Sequence, residues 1–268
     1  MDARVPAADV ATDHVWVVCF GWDVGGWMGR KHGAAAVAWH PGSQAIEWLG
    51  PPRQFRLPGP RLGFLEFVAL AASEADLTVL DGARIVVGID APLGYPSAYR
   101  RLVSGDAVYL EGFSRELDNG FAYRETERHV HGALGKKPLS APFDKLGNNA
   151  TVAISHARWW SAEHELKVVP FATAERDENV ILEVYPALAK TKDGEPIPSL
   201  APHMPPDVER GTDAYDAALC ALVALAYAAD GRIEGLPVTC GPQGDPSRIR
   251  EEGWIFYPED RAGSSSSG

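Results

Sequence analysis

VWVVCFGWDVGGW (residues 15–27) is β-branched and aromatic as far as Trp22, then breaks into Asp23-Val24-Gly25-Gly26. Its first eight residues, 15–22, read as a central strand that ends just before Asp23. Moving outward, GAAAVAWH (33–40) reads as a second strand. Pro41-Gly42-Ser43 is a turn signal, and QAIEWL (44–49) a third strand. So little chain separates the three that no helix fits between them, and they form an antiparallel meander. The proline-rich stretch PPRQFRLPGP (51–60) reads as a loop that closes it.

Apolar residues at Leu62, Leu65, Phe67, Val68, Leu70 and Ala71 then give residues 61–76 a helical period. RIVVGID (84–90) is a continuous apolar run ending in Asp90. A strand, a helix and another strand normally make a right-handed crossover, which places this fourth strand parallel to the first. Residues of about 95–170 form a helical insertion, with helices expected at 98–117, 120–131 and 150–165. VILEVYP (180–186) is a fifth strand carrying Glu183, and PIPSLAPHMPP (196–206) a loop. TDAYDAALCALVALAYAAD (212–230) is a helix apolar nearly all round and therefore buried. This order predicts an α/β domain of ribonuclease H-like fold. Its five-stranded mixed sheet has an antiparallel meander of three strands followed by parallel ones, with helices on both faces and a helical insertion. One domain is expected over 13–260, and AGSSSSG closes a flexible tail at 261–268.

The 268 residues suit one such domain. With 46% hydrophobic and 23% charged residues, composition is that of a globular protein and excludes wholesale disorder. No stretch approaches the ~20 apolar residues of a membrane span, and MDARVPAADVATD lacks a secretory signal's basic start and apolar run, so a cytoplasmic location is expected. Cys19, Cys220 and Cys240 are widely separated and form no C-x-x-C pair, which indicates neither a disulfide framework nor a zinc knuckle. A net charge of −11 argues against coating nucleic acid through a broad basic face, but leaves room for a local basic groove beside an acidic metal site.

Acids occupy the positions that this element order makes special. Asp23 follows the first strand, Asp90 ends the fourth, Glu183 lies on the fifth, and Asp213 and Asp216 open the last helix. Carboxyl ends of parallel strands converge on one edge of an open sheet, where ligands bind. Hard oxygen donors gathered there repel one another unless a divalent cation neutralises them, and Mg²⁺ or Mn²⁺ suits an all-carboxylate site. Two such ions about 3.5–4 Å apart would clamp the attacking and leaving oxygens of a phosphodiester. Each acid also has a structural reading: Asp213 as a helix N-cap, Asp23 as a turn residue, Asp90 as a strand terminator. Glu183, flanked by apolar Leu182 and Val184, demands a partner in either case.

GWDVGGW (21–27), VVGIDAPLG (86–94), the R-x-x-E of Arg124 and Glu127, EVYPA (183–187), DAYDAALCAL (213–222) and EGWIFYP (252–258) occur in an order that resembles the DUF429 family of predicted ribonuclease H-like nucleases. The resemblance implies catalytic acids at Asp23, Asp90, Glu183 and Asp216. On this reading Asp23, Glu183 and Asp216 hold the ions, and Asp90 is a fourth ligand or a water-orienting base. Metal-dependent hydrolysis of a short nucleic acid or nucleotide is therefore expected. The alternative is a non-catalytic nucleotide- or partner-binding protein that retains the acidic pocket.

The most basic region holds Arg124, Arg128, His129, His131, Lys136, Lys137 and Arg158. Arg124, Glu127, Arg128, Lys136 and Lys137 are the candidate substrate-binding residues, a phosphate-binding rim on the insertion. Its other reading is a solvated helix face. Asn148 and Asn149 add possible backbone contacts to a substrate. An exposed tryptophan among Trp22, Trp27, Trp159, Trp160 and Trp254 would stack on a base, although most belong to packing.

Overall fold

β1 (Val17–Asp23) and β2 (His32–His40) run antiparallel with Asp23 opposite Gly33, and β3 (Ala45–Trp48) continues the meander from β2. This computed structural model describes residues 16–28, 31–144 and 146–259. Residue 15 of the expected first strand, the domain limits at 13 and 260, and the tail at 261–268 lie outside the described residues. Helix α1 (Phe64–Ala71) leads through a 3-10 turn to β5 (Arg84–Asp90), which lies beside β1 and parallel to it along its whole length, so that Asp23 is level with Asp90. β7 (Val180–Val184) pairs in parallel with β5, placing Glu183 level with Ile89.

The sheet is mixed as expected but wider. Among the described residues nine strands take part, in the order β3-β2-β1-β5-β7-β9-β8, with β4 (Arg53–Phe55) on β2 and β6 (Lys167–Val168) on β7. β9 (Ile255–Pro258) is parallel to β7, and β8 (Thr239–Cys240) antiparallel to β9. The four additional strands span only two to four residues each, too few to show alternation. One sits inside the stretch expected to be a loop, and another inside EGWIFYP.

Between β5 and β6 the insertion folds as α2 (Ser97–Val103), α3 (Glu125–Leu134) and α4 (Gly147–His164). The first of these is far shorter than the expected 98–117, since the chain leaves the helix through Ser104 into Gly105 at a φ of 96°. α5 (Asp213–Ala229) covers one face of the sheet; α1 and α4 supply apolar side chains to the other. α6 (Pro246–Glu252) precedes β9. No helix of the described residues is long and apolar enough to cross a membrane.

Strand alternation fixes which side chains meet α5. Val17 and Cys19 of β1, Val86 of β5, and Val180, Leu182 and Val184 of β7 join α5 in one core. Val18, Phe20, Trp22, Val87, Ile89 and Ile181 belong to the other. Asp23 and Asp90 therefore continue the rows that face α5, whereas Glu183 continues the opposite row. α5 itself lies unusually close to the sheet. A Cβ on Gly21 would stand 1.9 Å from the Ala217 carbonyl oxygen, and one on Gly33 1.8 Å from that of Asp213. Glycine on the strands and alanine on the helix are what let this backbone approach carry the start of α5 down to the strand ends.

Candidate metal centre

At the ends of β1 and β5, Asp23 and Asp90 meet Asp216 from the first turn of α5. One carboxylate oxygen from each lies within 4.8 Å of the other two. Thr212, not Asp213, is the N-cap: its hydroxyl accepts from the Tyr215 amide at 3.2 Å. Asp213 turns aside and accepts from Gln54 Nε2 at 3.0 Å. The three clustered residues are all half-buried.

This arrangement is electrostatically unfinished. Burial, then the charges of Asp90, Asp216 and Asp213, push the Asp23 carboxyl up to about 9. Burial and Asp216 likewise raise Asp90, to about 8. Opposing both is Lys190, whose Nζ lies 2.5 Å from Asp216 Oδ1. It follows the 3-10 turn Pro186–Leu188 after β7 and was no part of the sequence expectation. Three hard oxygen donors at this spacing fit a divalent cation bound at about 2.0–2.6 Å from each.

Glu183 stands apart from the cluster, contrary to its expected place as a metal ligand, because both of its oxygens are already engaged. Oε1 accepts from Arg124 Nη2 at 2.5 Å; Oε2 accepts from Arg124 Nη1 and from the Leu93 amide, each at 2.8 Å. Asp90, expected as a fourth ligand or a water-orienting base, is one of the three clustered carboxylates. Arg124 is fully buried, and its Nε and Nη2 also donate to Glu127 Oε1. Glu127 caps its own helix by accepting from the Arg124 amide at 2.6 Å, the glutamate half of a capping box, which accounts for the R-x-x-E spacing. Arg124 Nη1 further donates to the Glu252 carbonyl, which ties the insertion to α6.

Asp23 and Asp90 of the cluster line a cavity of about 200 Å³ together with Arg124, Glu127, Glu183, Asn149, Leu139 and Tyr185. Among families of known proteins, the one described as "Protein of unknown function (DUF429)" matches residues 21–200. The chain belongs to this family. The match holds Asp23, Asp90, Arg124, Glu127, Glu183 and Lys190, while Asp216 lies beyond it. No curated protein and no solved structure matches the chain.

In this DUF429 protein the expected phosphate rim is largely spent on internal contacts. Arg124 and Glu127 are buried, so neither presents itself to solvent. Arg128 donates to the Tyr123 carbonyl and pairs with Glu125; Lys136 donates to the Ala187 carbonyl, and Lys137 pairs with Glu116. His129 contacts the Tyr257 hydroxyl, and Arg158 is exposed on α4. Asn148 and Asn149 clamp the turn after Asp23: Asn148 Oδ1 accepts from the Trp27 amide and Asn149 Nδ2 donates to the Val24 carbonyl at 2.6 Å. Buried His32 holds the same turn, accepting from Gly25 N and Trp22 Nε1 while its Nε2 faces the Gly26 carbonyl. Trp22, Trp160 and Trp254 are core residues; Trp27 and Trp159 are half-buried.

Proposed function

We propose that this protein is a ribonuclease H-like, metal-dependent phosphodiesterase, a nuclease acting on short nucleic acid or nucleotide substrates with Mg²⁺ or Mn²⁺. The observation that carries the reading is the convergence of Asp23, Asp90 and Asp216 at the carboxyl edge of two parallel strands, where ligands bind in open sheets. The meander followed by parallel strands, with α5 docked across them, supports the fold assignment.

A divalent cation held by the three aspartates would neutralise them and polarise a phosphoryl oxygen. The protein's own part is to hold three oxygens against their repulsion by close packing of α5, and to fix the turn after Asp23 through His32, Asn148 and Asn149. Glu183 acts as a positioning residue: paired with Arg124, it holds the Leu93 amide and so the segment that follows Asp90. The cavity beside Asp23 and Asp90 holds only about 200 Å³, which suits a single strand or a mononucleotide better than a wide duplex.

The test is cleavage of short single- and double-stranded DNA, RNA and hybrid substrates with Mg²⁺ or Mn²⁺, with and without chelator. Cleavage that requires the metal and disappears in Asp216→Asn supports the reading. Intact substrates throughout, or cleavage that survives Asp216→Asn, reject it and leave a nucleotide- or partner-binding protein.

A further inference from the structure

We infer that Lys190 serves the proposed reaction twice. It is the counter-cation that a divalent ion displaces from Asp216, and once displaced it binds the non-bridging oxygens of the substrate's phosphodiester. The inference deepens the metal-site reading and rests on it.

Two features of the structure lead here. First, Lys190 is aimed at a cluster ligand: its Nζ sits 2.5 Å from Asp216 Oδ1 and 5.7 Å from the Tyr215 ring centre. Two cations cannot share one half-buried carboxylate without repelling each other, so each weakens the other's hold by the same factor. Second, the backbone that carries Lys190 is fixed, leaving the side chain as the movable part. Lys190 bridges to Pro196, the Thr191 amide donates to the Glu195 carbonyl, and the Ile197 amide donates to that of Ala189. Tyr215, next to Asp216 on α5, donates its hydroxyl proton to the Gly194 carbonyl and docks this hairpin on the helix.

A lysine suits the double duty. Its ammonium is a compact point charge on a flexible four-carbon stem, able to leave a carboxylate and meet a phosphate within one side-chain length. The phosphodiester is a monoanion delivered to the same place as the metal, so the displaced ammonium finds a new partner beside the old one. An ion pair with purely structural duty, one-fifth to one-quarter exposed as this one is, would change neither metal affinity nor substrate affinity in a fixed direction.

The experiment measures Mn²⁺ binding by calorimetry for the full chain, Lys190→Met and Lys190→Arg, together with KM and kcat for bis(p-nitrophenyl) phosphate. Lys190→Met should bind Mn²⁺ about 5- to 20-fold more tightly, the size of an ordinary coupling between two ligands. Its KM should rise about tenfold or more, as for a lost hydrogen bond to a charged group. Lys190→Arg should return both values toward those of the parent. Mn²⁺ binding equal to or weaker than the parent's overturns the displacement role, and an unchanged KM overturns the phosphate role. A parent that binds no Mn²⁺ removes the metal centre and this inference together. A parent that binds Mn²⁺ but turns over no phosphodiester removes the nuclease reading and the phosphate role, while the Mn²⁺ comparison still decides displacement.

Discussion

Glu127 and Glu183, and Asp23 and Asp90 of the half-buried aspartate cluster, line one cavity, and the two groups of acids are solved in opposite ways. Glu127 and Glu183 share one buried arginine through four donor contacts, with the Leu93 and Arg124 amides satisfying what the guanidinium leaves. Among the described residues, the cation opposing Asp23, Asp90 and Asp216 is Lys190, held by one of the three. A carboxylate removed from water needs a partner charge or a proton. Where the fold supplies the charge, the group is structural; where it supplies too little, burial and like charge raise the carboxyls, as at Asp23 and Asp90, and a cation is the missing partner. Glu183 belongs to the first group and the three aspartates to the second, although all lie at strand ends or a helix start.

Removing the arginine breaks this comparison hardest. Arg124→Met leaves two buried glutamates without a counter-charge, and breaking such a pair costs about 3–5 kcal/mol. Urea denaturation should show that loss, whereas Asp216→Asn, which relieves repulsion, should leave stability equal or higher. Similar losses in both variants would mean that the aspartates too are a satisfied structural network.

Gly21→Ala attacks the second group without touching a carboxylate. The new Cβ meets the Ala217 carbonyl at 1.9 Å, so α5 must lift from β1 and take Asp216 with it. Overpacking of this kind costs about 1–3 kcal/mol. Mn²⁺ affinity should fall with stability, in contrast to Arg124→Met, where any metal binding that survives should keep its three ligands. Undiminished Mn²⁺ affinity in Gly21→Ala would show that close packing of α5 does not set the ligand spacing.

How far these differences could be read in advance depends on the signal each residue leaves. Asp23 and Asp90 are legible because each terminates an apolar run, and Asp216 because it opens the one helix apolar enough to be buried. The face of Glu183 was not, since β7 is buried on both sides and polarity does not alternate along it. Arg124 and Glu127 looked like a solvent rim because charged residues are seldom fully buried, and the pairing of Arg124 with Glu183 spans 59 residues. Lys190 leaves no local pattern: only the return of the chain after β7 brings it to α5. The meander and the crossover to β5 follow from strand lengths and spacing, but two- to four-residue strands such as β8 and β9 carry too little sequence to be read.

A subtler separation comes from pH. Asp23 rises from an ordinary 3.8 to about 9 and Asp90 from 3.8 to about 8. A carboxyl raised in the native state lends stability that is complete below 3.8 and is lost as pH climbs through its native value. Buried His32 falls from 6.5 to about 4, so its contribution is complete above 6.5 and lost as pH falls through 4. Metal-free protein should therefore melt lower as pH rises from 5 toward 9, and millimolar Mn²⁺ should flatten that alkaline limb. Asp23→Asn should flatten it as well, raising the midpoint near pH 8 by a few degrees and abolishing the Mn²⁺ effect. An alkaline limb that stays equally steep in Asp23→Asn would tell against repulsion within the cluster.

The finest cut lies within one helical turn. Asp213 and Asp216 both open α5, both favour its dipole, and both are half-buried, yet only Asp216 belongs to the cluster. Asp213 is bound to Gln54, and Thr212 holds the cap, so Asp213→Asn removes one charge from the helix start and little else. Its expected cost is about 0.5 kcal/mol, the size of a charge–dipole contribution near a surface. Mn²⁺ affinity should fall by less than about threefold, because the lost charge is one remove from the ion and screened by solvent. Asp216→Asn deletes a ligand, and Mn²⁺ binding should vanish. Titrating both variants with Mn²⁺ compares two acids three residues apart, with composition and net charge held equal. If Asp213→Asn weakens Mn²⁺ as much as Asp216→Asn does, the ion responds to the summed charge of the helix start, and the three-aspartate centre is the wrong description of this edge.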